Sequence, residues 1–351
     1  MRVTVVGAGI IGTTAAFRIK RRFPDLEITV LAEKFSPNTT SDIAAGWWEP
    51  TLDPDTPAHL VSRWSGETYS FFLKLWRSQP DQEVAEIQQE LTKGLCMMTG
   101  READTNPAVL NLPWQNNVLA YSVSKDPFSL TSLGFKHSQD MVSRSFLSFT
   151  FEASLVLPVF YSWLQNNGVK LVEKRAKSLP ELFQTSDIII NCSGLGAETL
   201  GGDSNMYPIS GHVIRAKVPN VKETLMDARP DSWAYIIPNR DSVILGSVNI
   251  KGNYDTTVTE ENTQKILERC GNFCPNVKDC EIVSEKVGLR PCRRGGVRLE
   301  LEHHPDGKII HNYGHGGSGI TLCWGCAGDV VKILENLIPP TPATHPTRSK
   351  L

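Results

Sequence analysis

The 351-residue chain has no apolar run of the roughly 18 residues that a membrane-spanning helix needs, so no membrane partner is expected. It has no charge surplus either: 36 Lys and Arg against 38 Asp and Glu leave a formal net charge of -2. The basic clusters are no longer than Lys20-Arg21-Arg22, and no nucleic-acid partner is expected. The eight cysteines are too thinly spread for a disulfide scaffold and are expected as free thiols. Cys323-Trp-Gly-Cys326 has the spacing of a redox or zinc pair, but no second pair completes a metal site, and plain packing is the expected role. His303-His304 run into the turn signal Pro305-Asp306-Gly307, which makes them hairpin flank rather than metal ligands. The apolar N-terminus lacks the basic start and long apolar region of a secretory signal and belongs to the fold. There is no internal repeat, and no low-complexity tract outside the proline-rich tail.

The first motif lies at the N-terminus. Arg2-Val3-Thr4-Val5-Val6 is a β-branched run ending in Gly7-Ala8-Gly9-Ile10-Ile11-Gly12, after which Thr13 to Ile19 reads as a helix. In a strand, glycine turn and helix, the first glycine permits the turn, the second admits a pyrophosphate and the third lets helix pack on strand. The helix N-terminus adds free amides and positive dipole. A second strand, Glu27 to Leu31, follows at the right distance and ends near Glu33, where a ribose hydroxyl would be held. The motif itself does not choose between NAD and FAD.

The segment that follows is small and hydroxyl-rich: Lys34-Phe35-Ser36-Pro37-Asn38-Thr39-Thr40-Ser41-Asp42-Ile43-Ala44-Ala45-Gly46. It suits an extended cofactor whose pyrophosphate and ribitol oxygens take hydrogen bonds. Further on, Asp187 to Asn191 reads as a buried parallel strand ending in Cys192-Ser193-Gly194-Leu195-Gly196. Residues 57 to 93 read as helices, 100 to 150 as irregular, and Leu155 to Asn166 as a helix. Alternation in Val213–Lys217, Ala234–Pro238 and Ser242–Gly246 predicts a mainly antiparallel sheet. Near the end, Lys286-Val287-Gly288-Leu289-Arg290-Pro291 precedes His311-Asn312-Tyr313-Gly314-His315-Gly316-Gly317-Ser318-Gly319-Ile320-Thr321, a second glycine-rich loop entering a helix.

Four of these motifs, in this order, resemble the D-amino-acid oxidase family: the N-terminal glycine turn, the Lys34–Gly46 segment, Asn191-Cys192-Ser193-Gly194, and the late Arg290 and Gly316–Thr321 pair. The resemblance implies an α/β fold with a Rossmann-like FAD-binding domain and a second, mainly antiparallel-sheet substrate domain. The FAD-binding domain is expected to be discontinuous over residues 1–50, 150–200 and 285–340, with 51–149 and 201–284 mainly substrate domain and 341–351 a flexible tail. It implies a cofactor set of Gly7, Ala8, Gly9, Ile10, Ile11, Gly12, Glu33, Lys34, Thr39, Thr40, Ser41, Ala45, Gly46, Ala176, Ser193, Gly194, Gly316, Gly317, Gly319, Ile320 and Thr321.

The implied reaction oxidises a D-amino acid to an imino acid that hydrolyses to a 2-oxo acid and ammonia, with O2 giving hydrogen peroxide. Because flavin takes the α-hydrogen as hydride, the family needs no catalytic acid-base pair, and none is evident here. Arg290 matches the family arginine that grips the α-carboxylate bidentately and Tyr235 the tyrosine that donates to it, while backbone at Gly317 or Ser318 would accept from the amine. Within the family the chain resembles the D-aspartate oxidase branch in Asn38–Asp42, Pro54–Pro57, Asn191–Gly196 and Glu285–Gly288, and the neutral branch in Trp47–Pro50 and Tyr235–Pro238. The D-aspartate oxidase pattern carries an arginine where this chain has Asn249; Arg229 is the candidate replacement, and acidic D-amino acids are the expected substrates. The last three residues, Ser349-Lys350-Leu351, form a peroxisomal address read by an import receptor, so a peroxisomal location is expected.

Overall fold

A strand buried on both faces needs apolar side chains on both, and the Val3, Val5 and Val6 side chains are nearly inaccessible. The computed structural model describes residues 1–51, 55–106, 111–126, 134–135, 141–246 and 248–338. The tail with Ser349-Lys350-Leu351 lies outside the described residues. In chain order the strands are β1 Arg2–Val6, β2 Glu27–Ala32, β3 Leu95–Asp104, β4 Leu119–Ser124, β5 Val142–Phe151, β6 Lys170–Glu173, β7 Ile188–Asn191, β8 Met206–Lys217, β9 Thr224–Asp227, β10 Ala234–Pro238, β11 Val243–Gly246, β12 Ile250–Lys251, β13 Glu281–Arg293, β14 Arg298–His304 and β15 Gly307–Tyr313.

They form two sheets. A six-stranded sheet has the order β14-β15-β7-β1-β2-β6, parallel except for the β14/β15 hairpin. A nine-stranded sheet runs β12-β8-β11-β10-β9-β3-β5-β4 with β13 also paired to β8, and only β3 and β9 are parallel in it. This is the expected combination of a Rossmann-like layer and a mainly antiparallel sheet. His303 and His304 end β14 at the turn into β15, as the turn signal predicts.

Two expectations change. The stretch expected to be irregular contains β4 and β5; in β5, Ser143, Arg144, Ser148 and Thr150 are buried, so polar core residues hide the strand's pattern. Residues 285–293, assigned from sequence to the nucleotide part, run in β13 along the second sheet, because β13 pairs with β8 from Glu281 to Arg293.

The largest core cluster holds Phe17, Phe72, Phe160 and Trp324 with apolar residues of β1 and β2. They come from the helices Ile10–Arg22, Ala58–Trp76, Ala153–Asn166 and Gly319–Leu337. Phe71 and Trp324 stack with ring centres 3.7 Å apart, joining the Ala58–Trp76 helix to the last helix. A second cluster fills the space between the nine-stranded sheet and the Glu260–Gly271 helix, with Ile214, Ile236, Leu245, Ile266 and Cys270. Cys323 and Cys326 are free, buried and divided between different apolar clusters. Among the described residues no helix is long and apolar enough to cross a membrane.

The close approach of the two helices rests on Gly325, where a Cβ would fall 2.4 Å from backbone atoms of Trp64. Gly325→Ala must therefore push the helices apart, and overpacking of this kind costs about 1–3 kcal/mol. The expected result is a lower urea midpoint with an unchanged m-value.

Candidate active site

The N-terminal turn is built so that backbone, not side chain, faces a ligand. Gly7 has φ +108°, and a Cβ there would meet the Cys192 carbonyl oxygen at 2.3 Å. A Cβ on Gly12 would sit 2.0 Å from the Gly7 oxygen, so helix and turn close only around glycine. No side chain caps the Ile10–Arg22 helix at Gly9, and the Ile10 N–H donates to Ser41 Oγ at 3.0 Å. Ser41 is held in place by its neighbours: Thr39 caps the short Thr40–Ile43 helix, and the buried Asp42 accepts from Thr39 N (2.8 Å), Thr39 Oγ1 (2.7 Å) and Ser36 Oγ (2.6 Å). Gly46, at φ +83°, turns the chain onto β5, where the Phe151 N–H donates to its carbonyl.

The second glycine loop arrives at the same place. A Cβ on Gly319 would lie 4.0 Å from Ile10 Cγ2, Thr14 Oγ1 donates to the Cys323 carbonyl at 3.4 Å, and Arg18 Nη1 to the Trp324 carbonyl at 2.9 Å. The two helices thus run side by side in one direction, with the N-terminal amides of both at one end. Ser193 Oγ donates to Asn191 Oδ1 at 2.6 Å, and Gly194, at φ +58°, faces Pro291 of β13. His315 is fully enclosed; burial drives its imidazole down to about 3, so the ring is neutral. Ala176 lies in a small cluster with Val6 and Leu31 at the same edge of the sheet. Glu33 and Lys34 are exposed just beyond β2, with Arg175 3.8 Å from Glu33.

Tyr235 and Arg290 are brought together on bare backbone. Tyr235 pairs directly with Gly246, and its ring lies over that residue: a Cβ on Gly246 would be 2.2 Å from Tyr235 Cζ. The Arg290 guanidinium lies over Gly211 of β8 in the same way, 2.2 Å from a Cβ built there. Burial raises the Tyr235 phenol above its usual range, and the nearby Arg290 charge opposes that rise. Arg290 Nη1 donates to Asn249 Oδ1 at 2.7 Å, so the position that departs from the D-aspartate oxidase pattern touches the site arginine. Gly317 closes the other side, within 3.6 Å of Arg290 Cδ and of Thr51 Oγ1 when measured from a Cβ built on it. Thr51 is tied to Ser318 by Oγ–Oγ and backbone bonds of 2.7 and 3.1 Å.

Arg229 does not join this group. In the β9/β10 register Tyr235 faces Met226 and Ala234 faces Asp227, so Asp227 projects from the opposite side of the sheet. Arg229 donates to both Asp227 oxygens, Nε to Oδ1 at 2.8 Å and Nη2 to Oδ2 at 2.5 Å, and Nη1 reaches Met141, a member of the far-side core. A position counted along the chain cannot reveal which face a strand's side chain takes after a turn.

Sequence reasoning also missed Glu49, Glu102 and Arg144. Arg144 Nη2 donates to both carboxylates, with 2.5 Å to Glu102, and all three side chains are at least nine-tenths buried. Burial, and then the Glu49 charge, push the Glu102 carboxyl well above the usual carboxylate range, with Arg144 opposing. The one available signal was a charged residue inside each of two strands, Glu102 in Leu95–Asp104 and Arg144 in Val142–Phe151.

A glycine cradle with two helix N-termini, beside an arginine and a tyrosine on bare sheet, defines a flavin- or nucleotide-dependent oxidoreductase. The profile of the FAD dependent oxidoreductase family matches residues 2–333, and the chain belongs to that family. It is 33% identical over 347 residues to the D-amino acid oxidase of Dugesia ryukyuensis, covering 96% of this chain and 98% of the relative. It is 32% identical over 342 residues to the D-aspartate oxidase of Homo sapiens, covering 96% and 95%. Among solved structures, glycine oxidase from Bacillus cereus superposes with a TM-score of 0.75 at 16% identity over 95% of this chain and 97% of that one, a likeness of fold.

FAD is the cofactor. The residues fit it: a Cβ on Gly7 or Gly12 would collide with the backbone that closes the turn, and Gly9, the position that admits a pyrophosphate, carries no side chain. The Gly7–Gly12 turn, Ser41 and the Gly316–Thr321 loop would hold it. Gly12→Ala must open the turn, so flavin affinity is expected to fall at least tenfold, read as loss of visible absorbance after dialysis.

Proposed function

We propose that the chain oxidatively deaminates D-amino acids whose side chain carries no carboxylate: substrate, O2 and water give a 2-oxo acid, ammonia and hydrogen peroxide. The observation that carries the reading is the Tyr235–Arg290 pair laid on Gly246 and Gly211. A planar guanidinium and a phenol aimed at one point bind a carboxylate with fixed orientation. The names of the two curated relatives support D-amino acids as the class.

The work of the protein is positioning. Arg290 and Tyr235 hold the α-carboxylate, and backbone at Gly317 or Ser318 accepts from the amine and so turns the α-hydrogen to one side. The apolar wall of Val213, Met226, Ile237 and Ile244 excludes water around the reacting carbon. Bound FAD supplies the two-electron acceptor for that hydrogen.

A side-chain carboxylate needs its own cation, since burying it unpaired costs several kcal/mol. Arg229 is matched by Asp227 on the far face, and Asn249 stands where the D-aspartate oxidase pattern has arginine. These two observations favour non-acidic substrates over the D-aspartate and D-glutamate expected from sequence motifs. Ser349-Lys350-Leu351 supports a peroxisomal location, checked by whether a fluorescent protein carrying the tail enters peroxisomes.

Peroxide production by the FAD-loaded protein is expected with kcat/KM at least tenfold higher for D-methionine and D-alanine than for D-aspartate and D-glutamate; the reverse order overturns the side-chain assignment. Arg290→Leu is expected to keep bound flavin while kcat/KM falls by two orders of magnitude or more, about 2.7 kcal/mol at 1.36 kcal/mol per tenfold.

A further inference from the structure

The middle of the parallel sheet carries a polar pair in a row that is otherwise apolar. Ile189 of β7 lies beside Ile309 of β15, and two residues further along the same face Asn191 lies beside His311. Both side chains are buried, and a buried polar pair whose hydrogen bonds are all made specifies one arrangement.

Those hydrogen bonds fix the position of the imidazole proton. Asn191 Oδ1 accepts from Ser193 Oγ at 2.6 Å and from the Ser193 N–H at 3.3 Å, so the Asn191 amide presents its nitrogen to His311. Asn191 Nδ2 lies 3.2 Å from His311 Nδ1, and because an amide nitrogen can only donate, Nδ1 carries the lone pair. The proton is therefore on Nε2, which faces Glu302 Oε2 at 3.0 Å; that oxygen also accepts from Arg298 Nη2 at 2.9 Å. Among the described residues the charged groups acting on the ring are Arg298, Glu302 and Glu300 of β14, and the Tyr313 ring of β15 stands edge-on at 5.5 Å. Burial, and then the Arg298 charge, hold the imidazole below its usual range, with Glu302 opposing.

The other end of this chain of bonds is a wall of the flavin cradle. A Cβ built on Gly7 would lie 3.4 Å from Ser193 Cα, and one on Gly12 would lie 3.2 Å from Cys192 Cβ. The Cys192 N–H donates to the Val6 carbonyl at 2.9 Å, so the end of β7 is laid directly against the glycine turn. Asn191 holds Ser193 in that place. A proton on Nδ1 would set N–H against N–H, and relief requires the Asn191 amide to turn over, which takes Oδ1 away from both Ser193 donors.

We propose that His311 is a positioning residue for FAD: neutral, with Nδ1 free, it holds Ser193 against the Gly7–Gly12 turn through Asn191, and protonation of Nδ1 loosens the cofactor's seat. The tighter hold is present in full above the ordinary histidine range and is lost as pH falls through the lowered value of the folded protein, whichever amino acid is oxidised.

The test dilutes the FAD-loaded full chain at pH values from 8 to 5 and reads released flavin by its fluorescence. For the wild type the dissociation constant is expected to rise by about tenfold across that range. His311→Asn, whose amide oxygen can take the Asn191 hydrogen near the position of Nδ1 and does not titrate, is expected to stay within about threefold of the wild type at pH 8 and to lose the acid rise. His311→Leu offers no acceptor and is expected to weaken FAD binding about tenfold at pH 8. Glu302→Gln, at the partly exposed partner, removes the charge that favours the imidazolium and is expected to move the acid rise to lower pH; it is the second variant should the buried substitutions not fold. A wild-type dissociation constant that does not change with pH, an acid rise that stays unmoved in His311→Asn or Glu302→Gln, or a His311→Leu variant that holds FAD as the wild type does overturns the proposal.

Discussion

Everything at the site depends on two helices that lie side by side and point the same way, although more than three hundred residues separate their starts. The Ile10–Arg22 and Gly319–Leu337 helices touch along their length, through Thr14 to Cys323 and Arg18 to Trp324. Free N-terminal amides and positive dipole are therefore concentrated at one spot, and a long anionic cofactor needs both. Their contact is apolar and tight, sealed by Phe17 and Trp324 in the main core. The rest of the fold brings partners to that end: β7 with Ser193 and Gly194, the Thr40–Ile43 helix with Ser41, and β13 with Arg290.

The second sheet meets this end with glycine where it must be flat. Gly211 and Gly246 carry no side chain, so an arginine and a tyrosine from neighbouring strands can lie across them. Packing onto backbone fixes the phenol ring and the guanidinium plane more tightly than packing onto a flexible side chain would, and a preorganised pair loses less entropy on binding. The same economy appears in the glycine turn at the nucleotide end, where Gly7 and Gly12 allow backbone to approach backbone.

Charge is distributed with similar strictness. Arg229 is paired on the far side of the sheet, while Arg144 is enclosed between two carboxylates on the near side. Which cation belongs to the site is thus decided by the alternation of side chains along strands, a property invisible until the register is known.

Much was legible in the sequence because local rules govern it. Glycine spacing after a β-branched run gave the nucleotide turn, alternation gave β10 and β11, and a hydroxyl-rich stretch gave the Ser41 segment. Tyr235 and Arg290 were named through the motifs around them. The sequence by itself determined the chemistry of each short segment, since turn geometry and strand periodicity depend on neighbours a few residues away. Only the tertiary structure decided which segments meet: that Arg290 lies over Gly211, that Arg229 faces away, and that Glu49, Glu102 and Arg144 converge. Those outcomes follow from long-range strand pairing and register, where one residue of shift sends a side chain to the other face.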